Sequence, residues 1–148
     1  MRSKNKQRLS DHWWGLRLTI VAGERVGDEV ASTRKILVVD DNVDAANLTA
    51  DILRVYGLNV AVAYGGAEAL AAVENETPDV VFLDLGMPLM DGYAVAKALR
   101  ARPALQTLKI VALTAWGDQA AREKTRAAGF DLHLTKPAQI TELVSIAS

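Results

Sequence analysis

The chain has 148 residues, of which half are hydrophobic and 24% are charged, and it has a formal net charge of −1 and no cysteine. This length and balance indicate one globular domain, and the lack of cysteine excludes disulfide bonds and thiolate metal sites. No run of eighteen apolar residues and no secretory signal occurs, so we expect no membrane span and a cytoplasmic location.

The charge is distributed unevenly along the chain. Residues 1–35 have a net charge of +4, and residues 36–148 have a net charge of −5. An acidic body argues against direct nucleic acid binding, because phosphate contacts need basic patches. We expect residues 1–34 to be an N-terminal extension or linker and residues 35–148 to be the domain. The run at Leu16–Val21 is a candidate strand, and an added strand, a remnant of a preceding domain and a disordered extension all remain open for this segment.

From residue 35 onward, short apolar runs alternate with segments of helical periodicity. The expected strands are at 36–39, 59–63, 80–83, 110–113 and 132–135. The expected helices are at 43–56, 66–74, 92–100, 118–128 and 139–146. Strands that alternate with helices predict an α/β fold, a doubly wound (βα)5 parallel sheet covered by helices on both faces.

Polar residues follow several of these strands at the edge where such folds bind ligands. Asp40 and Asp41 follow the first strand, Asp84 the third, Thr114 the fourth and Lys136 the fifth. Neighbouring carboxylates repel one another, and Mg²⁺ with its preference for oxygen ligands would relieve this repulsion. A lysine suits a phosphoryl oxygen. Each residue alone is more often a turn or helix-cap residue, a strand-end hydroxyl or a solvated side chain, and only their coincidence at one edge favours a site.

Four stretches resemble the motifs of response-regulator receiver domains of two-component signalling, a family that includes the chemotaxis regulators. The stretches are ILVVDDN (36–42), VVFLDLGMPLMDGY (80–93), VALTA (111–115) and LTKP (134–137), and their order and spacing match. The resemblance covers residues 35 to about 147. It implies a flavodoxin-like three-layer sandwich with strand order 2-1-3-4-5, in which the first and third strands are neighbours.

The resemblance implies a role for each acidic residue of this edge. Asp84 matches the aspartate that accepts the phosphoryl group. Asp41, Asp84 and the backbone carbonyl of Gly86 match the direct protein ligands of Mg²⁺. Asp40 matches the acidic residue that holds the ion less directly, often through water.

The remaining motif residues match the phosphoryl-binding and switching groups. Thr114 matches the switch hydroxyl, and the Ala115 N–H and Lys136 match further groups that bind the phosphoryl oxygens. A cis bond is implied before Pro137. His133 stands where the family often has a Tyr or Phe that moves together with the switch hydroxyl. An imidazole there predicts pH-sensitive switching, and a strand histidine without a signalling role is the alternative.

The resemblance implies a receiver that accepts its phosphoryl group from the phosphohistidine of a histidine kinase or a phosphotransfer protein. It implies self-phosphorylation and self-dephosphorylation, and no multiple-turnover enzyme. Since the sequence ends about eleven residues after Pro137, we expect no effector domain, and output through contact with a downstream protein at the fourth helix, fifth strand and fifth helix. A homodimer remains open.

Two other functions compete with a stand-alone receiver. One is the terminal receiver of a hybrid histidine kinase, with residues 1–34 as the remnant of what precedes it. The other is a Mg²⁺-dependent phosphohydrolase with an aspartate nucleophile. Such enzymes favour a second catalytic aspartate two residues after the nucleophile, and this position is Gly86 here, which disfavours that function.

Overall fold

A computed structural model describes residues 34–148, so the candidate strand at Leu16–Val21 lies outside the described residues. The described part consists of five strands, each followed by a helix. The strands are β1 (Lys35–Val39), β2 (Asn59–Ala63), β3 (Val80–Asp84), β4 (Lys109–Thr114) and β5 (Leu132–Thr135). The helices are α1 (Val43–Val55), α2 (Gly66–Asn75), α3 (Gly92–Arg100), α4 (Gln119–Ala128) and α5 (Ile140–Ala147).

The five strands form one parallel sheet in the order β2-β1-β3-β4-β5. The predicted (βα)5 fold and the strand order implied by the family resemblance are therefore both confirmed. The three central strands are almost wholly apolar because helices cover both of their faces. Phe82 in β3, for example, is fully buried.

The helices divide into two layers, one on each face of the sheet. Ala46 and Leu53 of α1 and Leu143 of α5 pack in one core with residues of β1, β3 and β4. Helices α2, α3 and α4 pack on the opposite face, where Val73 and Leu99 belong to the second core. The result is a three-layer sandwich with all carboxyl ends of the strands at the same edge.

The observed boundaries lie within one or two residues of those predicted. Asn42, Asp91 and Asp118 cap α1, α3 and α4 by accepting hydrogen bonds from backbone N–H groups of the first turn. A short 3₁₀ helix at Pro103–Leu105 was not predicted. In the described part of the chain, no helix has the length and apolarity that a membrane crossing requires.

Candidate functional site

Three carboxylates meet at the carboxyl ends of β1 and β3. Asp40 directly follows β1 and Asp84 is the last residue of β3, and these two strands are neighbours in the sheet. Oxygen atoms of Asp40, Asp41 and Asp84 all lie within 4.8 Å of one another. Asp40 and Asp84 are buried, whereas Asp41 is exposed. The convergence expected from the sequence is present.

Lys136 reaches this acidic cluster from the far side of β4. Its Nζ lies 3.0 Å from Oδ2 of Asp40 and 3.2 Å from Oδ1 of Asp84. The backbone holds the lysine in place, since the Lys136 N–H donates to the carbonyl of Thr114 at 2.7 Å. The peptide bond between Lys136 and Pro137 is cis, as the resemblance implied. One ammonium group therefore bridges two buried carboxylates.

The pKa values of the two central groups reflect this crowding. Burial, followed by the charge of Asp40, raises the pKa of Asp84, and Lys136 together with a backbone hydrogen bond from Gly86 only partly offsets this rise. Burial acts to lower the pKa of Lys136, but its hydrogen bonds and charge interactions with Asp40 and Asp84 outweigh burial and raise it. The lysine is thus firmly protonated at neutral pH, and the site still carries surplus negative charge.

The donor set of the cluster fits a hard, hydrated divalent cation. All three side chains offer carboxylate oxygens, and Asp41 is exposed to solvent. Mg²⁺ is bound in proteins by one or two carboxylates together with retained water. Within the part of the chain that the structure describes, this cluster includes no histidine or cysteine, the side chains that favour softer metals.

Gly92 sets how closely α3 approaches the strand end that carries Asp84. A Cβ atom at Gly92 would lie 2.5 Å from the backbone oxygen of Asp84 and 2.9 Å from the Cα of Leu85. The Gly92 N–H donates to the carbonyl of Leu85 at 3.2 Å. Only glycine permits this approach, so the start of α3 supports the backbone of Asp84 directly.

The end of β4 supplies a hydroxyl and leads into the loop of residues 115–118. Thr114 is 1% exposed, and its Oγ1 accepts a hydrogen bond from the Trp116 N–H at 3.1 Å. Ala115 follows as an exposed residue. A Cβ at Gly86 would lie 4.0 Å from Cζ3 of Trp116, so the indole ring leans toward the loop that follows Asp84.

His133, in β5, is hydrogen-bonded at both ring nitrogens. Its Nδ1 lies 3.1 Å from Oγ1 of Thr125, and its Nε2 lies 2.9 Å from the carbonyl oxygen of Trp116. Thr125 is 2% exposed on the inner face of α4. The sequence analysis singled out His133 but not Thr125. The only sign of Thr125 in the sequence was its spacing, since this polar residue stands three positions before Ala128, which the structure shows to be buried.

Comparison with known proteins decides the family. The family model described as the response regulator receiver domain matches residues 36–148. The chain belongs to the response regulator receiver family. This match covers the sheet from the second residue of β1 onward and each of the polar residues at its carboxyl edge.

Relatives of the receiver include whole proteins of its own size and parts of longer ones. A 14.6 kDa protein of Leptolyngbya boryana is 38% identical over 111 residues, which are 75% of this chain and 85% of that protein. The transcriptional regulatory protein PrrA of Mycobacterium tuberculosis is 36% identical over 80% of this chain. The receiver spans only 50% of the length of PrrA.

Solved structures show the same fold. The receiver domain of the Francisella response regulator 1452 is 30% identical, with a TM-score of 0.72, over 78% of this chain and 93% of that one. Chemotaxis protein CheY4 of Vibrio cholerae is 29% identical, with a TM-score of 0.74, over 78% of this chain and 96% of that one.

Of the five polar side chains that the sequence placed at this edge, four form a cluster and one lies apart from it. Asp40, Asp41, Asp84 and Lys136 form one contiguous cluster. Thr114 lies at the same edge of the sheet, but among the described residues its hydroxyl makes no hydrogen bond to Asp84 and instead accepts from the adjoining loop. The cluster thus brings carboxylate oxygens and an ammonium group to one place, and Thr114 lies at the same edge.

Proposed function

We propose that the receiver accepts a phosphoryl group onto Asp84 from a phosphohistidine donor. The bridging of buried Asp40 and Asp84 by the ammonium of Lys136 is the observation that carries this proposal. A carboxylate oxygen of Asp84 attacks phosphorus, the phosphorus–nitrogen bond of the donor breaks, and its electron pair returns to the imidazole nitrogen. The product is an acyl phosphate, whose hydrolysis returns the receiver to its resting state.

The groups around Asp84 position and neutralise the incoming phosphoryl group. Such transfers depend mostly on positioning and on compensation of charge. Lys136 lies against Asp84 and is protonated, so its ammonium donates to a phosphoryl oxygen with little movement. The hydroxyl of Thr114 and the N–H of Ala115 come from the end of neighbouring β4 and are further donors.

Asp41, Asp84, the carbonyl of Gly86 and, less directly, Asp40 would hold the cation. When bound, Mg²⁺ supplies compensation of the charge on the transferring phosphoryl oxygens. The surplus of carboxylates over ammonium groups in the cluster supports this assignment.

Signalling then follows from contacts that differ between the two phosphorylation states. A histidine kinase or a histidine phosphotransfer protein is the donor in this proposal, and a downstream protein in the cytoplasm reads the result. The same chemistry serves a stand-alone receiver and the terminal receiver of a hybrid kinase. Gly86 supplies no side chain for a second acid or base, which supports single phosphorylation rather than repeated hydrolysis of substrates.

Reductive trapping tests the acceptor residue without any substitution. The protein is incubated with Mg²⁺ and phosphoramidate, a small donor with a phosphorus–nitrogen bond, and then treated with borohydride, which reduces an acyl phosphate to an alcohol. Peptide mass spectrometry should find homoserine in place of aspartate at position 84, and only when phosphoramidate was present. Homoserine at another position, or a phosphorylated protein that borohydride leaves unchanged, would contradict the proposal.

A further inference from the structure

An apolar groove lies between α1 and α5, next to the acidic cluster. Its volume is about 410 Å³, and pockets of about 300–1,000 Å³ commonly hold small organic molecules. Both helices contribute apolar side chains to its walls, chiefly Leu48, Ile52, Ile140 and Leu143. Asp40 and Lys136 also line the groove, which therefore borders the cluster. Leu48 and Ile140 are 61% and 44% exposed, so both helices present apolar surface to solvent here.

Two of the three tryptophans of the chain, Trp13 and Trp14, stand outside the described residues. A tryptophan side chain can bury about 150–250 Å² of surface, so the pair is a large apolar group. It stands in a basic stretch, because residues 1–20 contain five Lys or Arg and one Asp, a net charge of +4. The surface that suits such a pair is an apolar groove with a negative rim.

The two helices that form the groove provide a negative rim. Together they carry three exposed acidic residues and one basic residue, which are Asp44, Asp51, Glu142 and Arg54. Arg54 is already paired with Asp51 at 3.1 Å. Asp44 lies four residues before Leu48, hence one turn away on the same side of α1. The charge beside the groove thus complements the charge of residues 1–20.

The start of the described chain lies within reach of the groove. Nη1 of Arg34 donates to the carbonyl oxygen of Ser148 at 3.3 Å, so the described chain begins beside the C-terminal end of α5. The groove is at the other end of α5, which has eight residues and a length of about 12 Å. Twenty residues separate Trp14 from Arg34, and a chain of this length can span about 66 Å. The pair can therefore reach the groove by an indirect path.

We propose that Trp13 and Trp14 dock in the groove between α1 and α5 of the same chain. Because the pair and the groove belong to one molecule, a contact too weak to join separate molecules is populated. The docking itself needs no phosphoryl transfer. Its consequence rests on the proposed function, since a docked pair covers one side of the approach to Asp84 and a protein donor must displace it.

NMR of the full chain, without Mg²⁺ or a phosphodonor, tests the docking directly. With ¹³C-labelled Leu and Ile methyl groups, we expect nuclear Overhauser effects between the indole protons of Trp13 or Trp14 and the methyls of Leu48, Ile52 and Ile140. The double variant Trp13→Ala/Trp14→Ala should lose these effects and shift the same methyl signals. Trp116→Ala, which removes the exposed indole of another surface, is the matched control and should leave them unchanged.

Fluorescence tests whether the apolar wall of the groove holds the pair. In a Trp116→Phe background, only Trp13 and Trp14 emit. Their emission should be blue-shifted relative to the protein unfolded in urea, and Leu48→Gln should move it toward the unfolded value and increase quenching by acrylamide. Val55→Gln is the matched control, because Val55 is 83% exposed on α1 and does not line the groove. Both substitutions remove an exposed apolar side chain and add no charge.

Several results would overturn the docking. They are the absence of indole-to-methyl effects in the wild type, an emission that Leu48→Gln leaves unchanged, and equal changes from Leu48→Gln and Val55→Gln. Effects that vanish on dilution would overturn it too, because the occupant would then be the segment of a second copy. None of these measurements uses a phosphodonor, so a failure of Asp84 to accept a phosphoryl group contradicts the proposed function alone.

Discussion

The ammonium group of Lys136 lies 3.2 Å from Oδ1 of Asp84, although 52 residues separate the two in the sequence. The contact exists because β3 and β5 both flank β4, so that their carboxyl ends lie near each other at the same edge of the sheet. The same ammonium lies 3.0 Å from Oδ2 of Asp40. Removing it would leave two buried carboxylates facing each other without a counter-ion.

Lys136→Met should therefore destabilise the Mg²⁺-free protein at neutral pH. We expect a loss of about 1–2 kcal/mol, the cost of leaving buried charge unpaired, reduced by solvent screening. The screening matters because the side chain of Lys136 is 35% exposed. Urea unfolding gives the free energy, and Lys97→Met, at an exposed lysine of α3, is the matched control.

Lys136 and Asp84 should also be energetically coupled. In an Asp84→Asn background, Lys136→Met should cost at least about 0.5 kcal/mol less than in the wild type, because one of the two carboxylates is already neutral. Equal costs in both backgrounds would show that Lys136 does not compensate the charge of Asp84.

Asp84→Asn alone should stabilise the Mg²⁺-free protein at pH 7. The pKa of Asp84 is raised in the folded state, chiefly by burial and by the charge of Asp40. A carboxyl group with a raised pKa contributes stability below its unfolded pKa, and this contribution is lost as pH rises through the folded pKa. At pH 7 the ionised group therefore costs stability, which the neutral amide avoids.

We expect Asp84→Asn to raise the free energy of unfolding by more than roughly 0.5 kcal/mol, the usual scatter among surface substitutions. It should shrink as the pH falls toward 3.8, the ordinary pKa of an aspartate. Unfolding curves across this pH range measure it, with Asp44→Asn, at an exposed aspartate outside the cluster, as the control. A gain that is constant with pH would show that the titration of Asp84 is not its source.

Gly92→Ala should destabilise the protein by about 1–3 kcal/mol, the usual cost of overpacking. The added Cβ would lie 2.5 Å from the backbone oxygen of Asp84, so that α3 or the end of β3 must shift. Gly65→Ala is the matched control, because a Cβ there meets no atom within 4 Å and the backbone is extended. Thermal unfolding compares the two variants, and equal melting temperatures would contradict the close packing described for Gly92.

The alternation of buried strands and amphipathic helices was predictable because it depends on local periodicity alone. The order of the strands came from the resemblance to receivers, since no periodicity states which strands are neighbours. The 3₁₀ helix at Pro103–Leu105 was missed because its three residues are too few to show a periodicity.

The candidate site was predictable where the place of a residue depends only on its position at the end of a strand. Asp40, Asp84 and Lys136 could be placed at one edge of the sheet for this reason. The pairing of Lys136 with Asp40 and the bonds from His133 to Thr125 and Trp116 could not be foreseen. They depend on how side chains from distant segments orient after packing, which the sequence pattern does not specify.

The central claim, that Asp84 accepts a phosphoryl group, is tested most directly by intact mass spectrometry after incubation with Mg²⁺ and acetyl phosphate. The wild type should gain one phosphoryl group, only when Mg²⁺ is present, and Asp84→Asn should gain none. Undiminished phosphorylation of Asp84→Asn, or a wild type that gains nothing from either acetyl phosphate or phosphoramidate, would contradict the account.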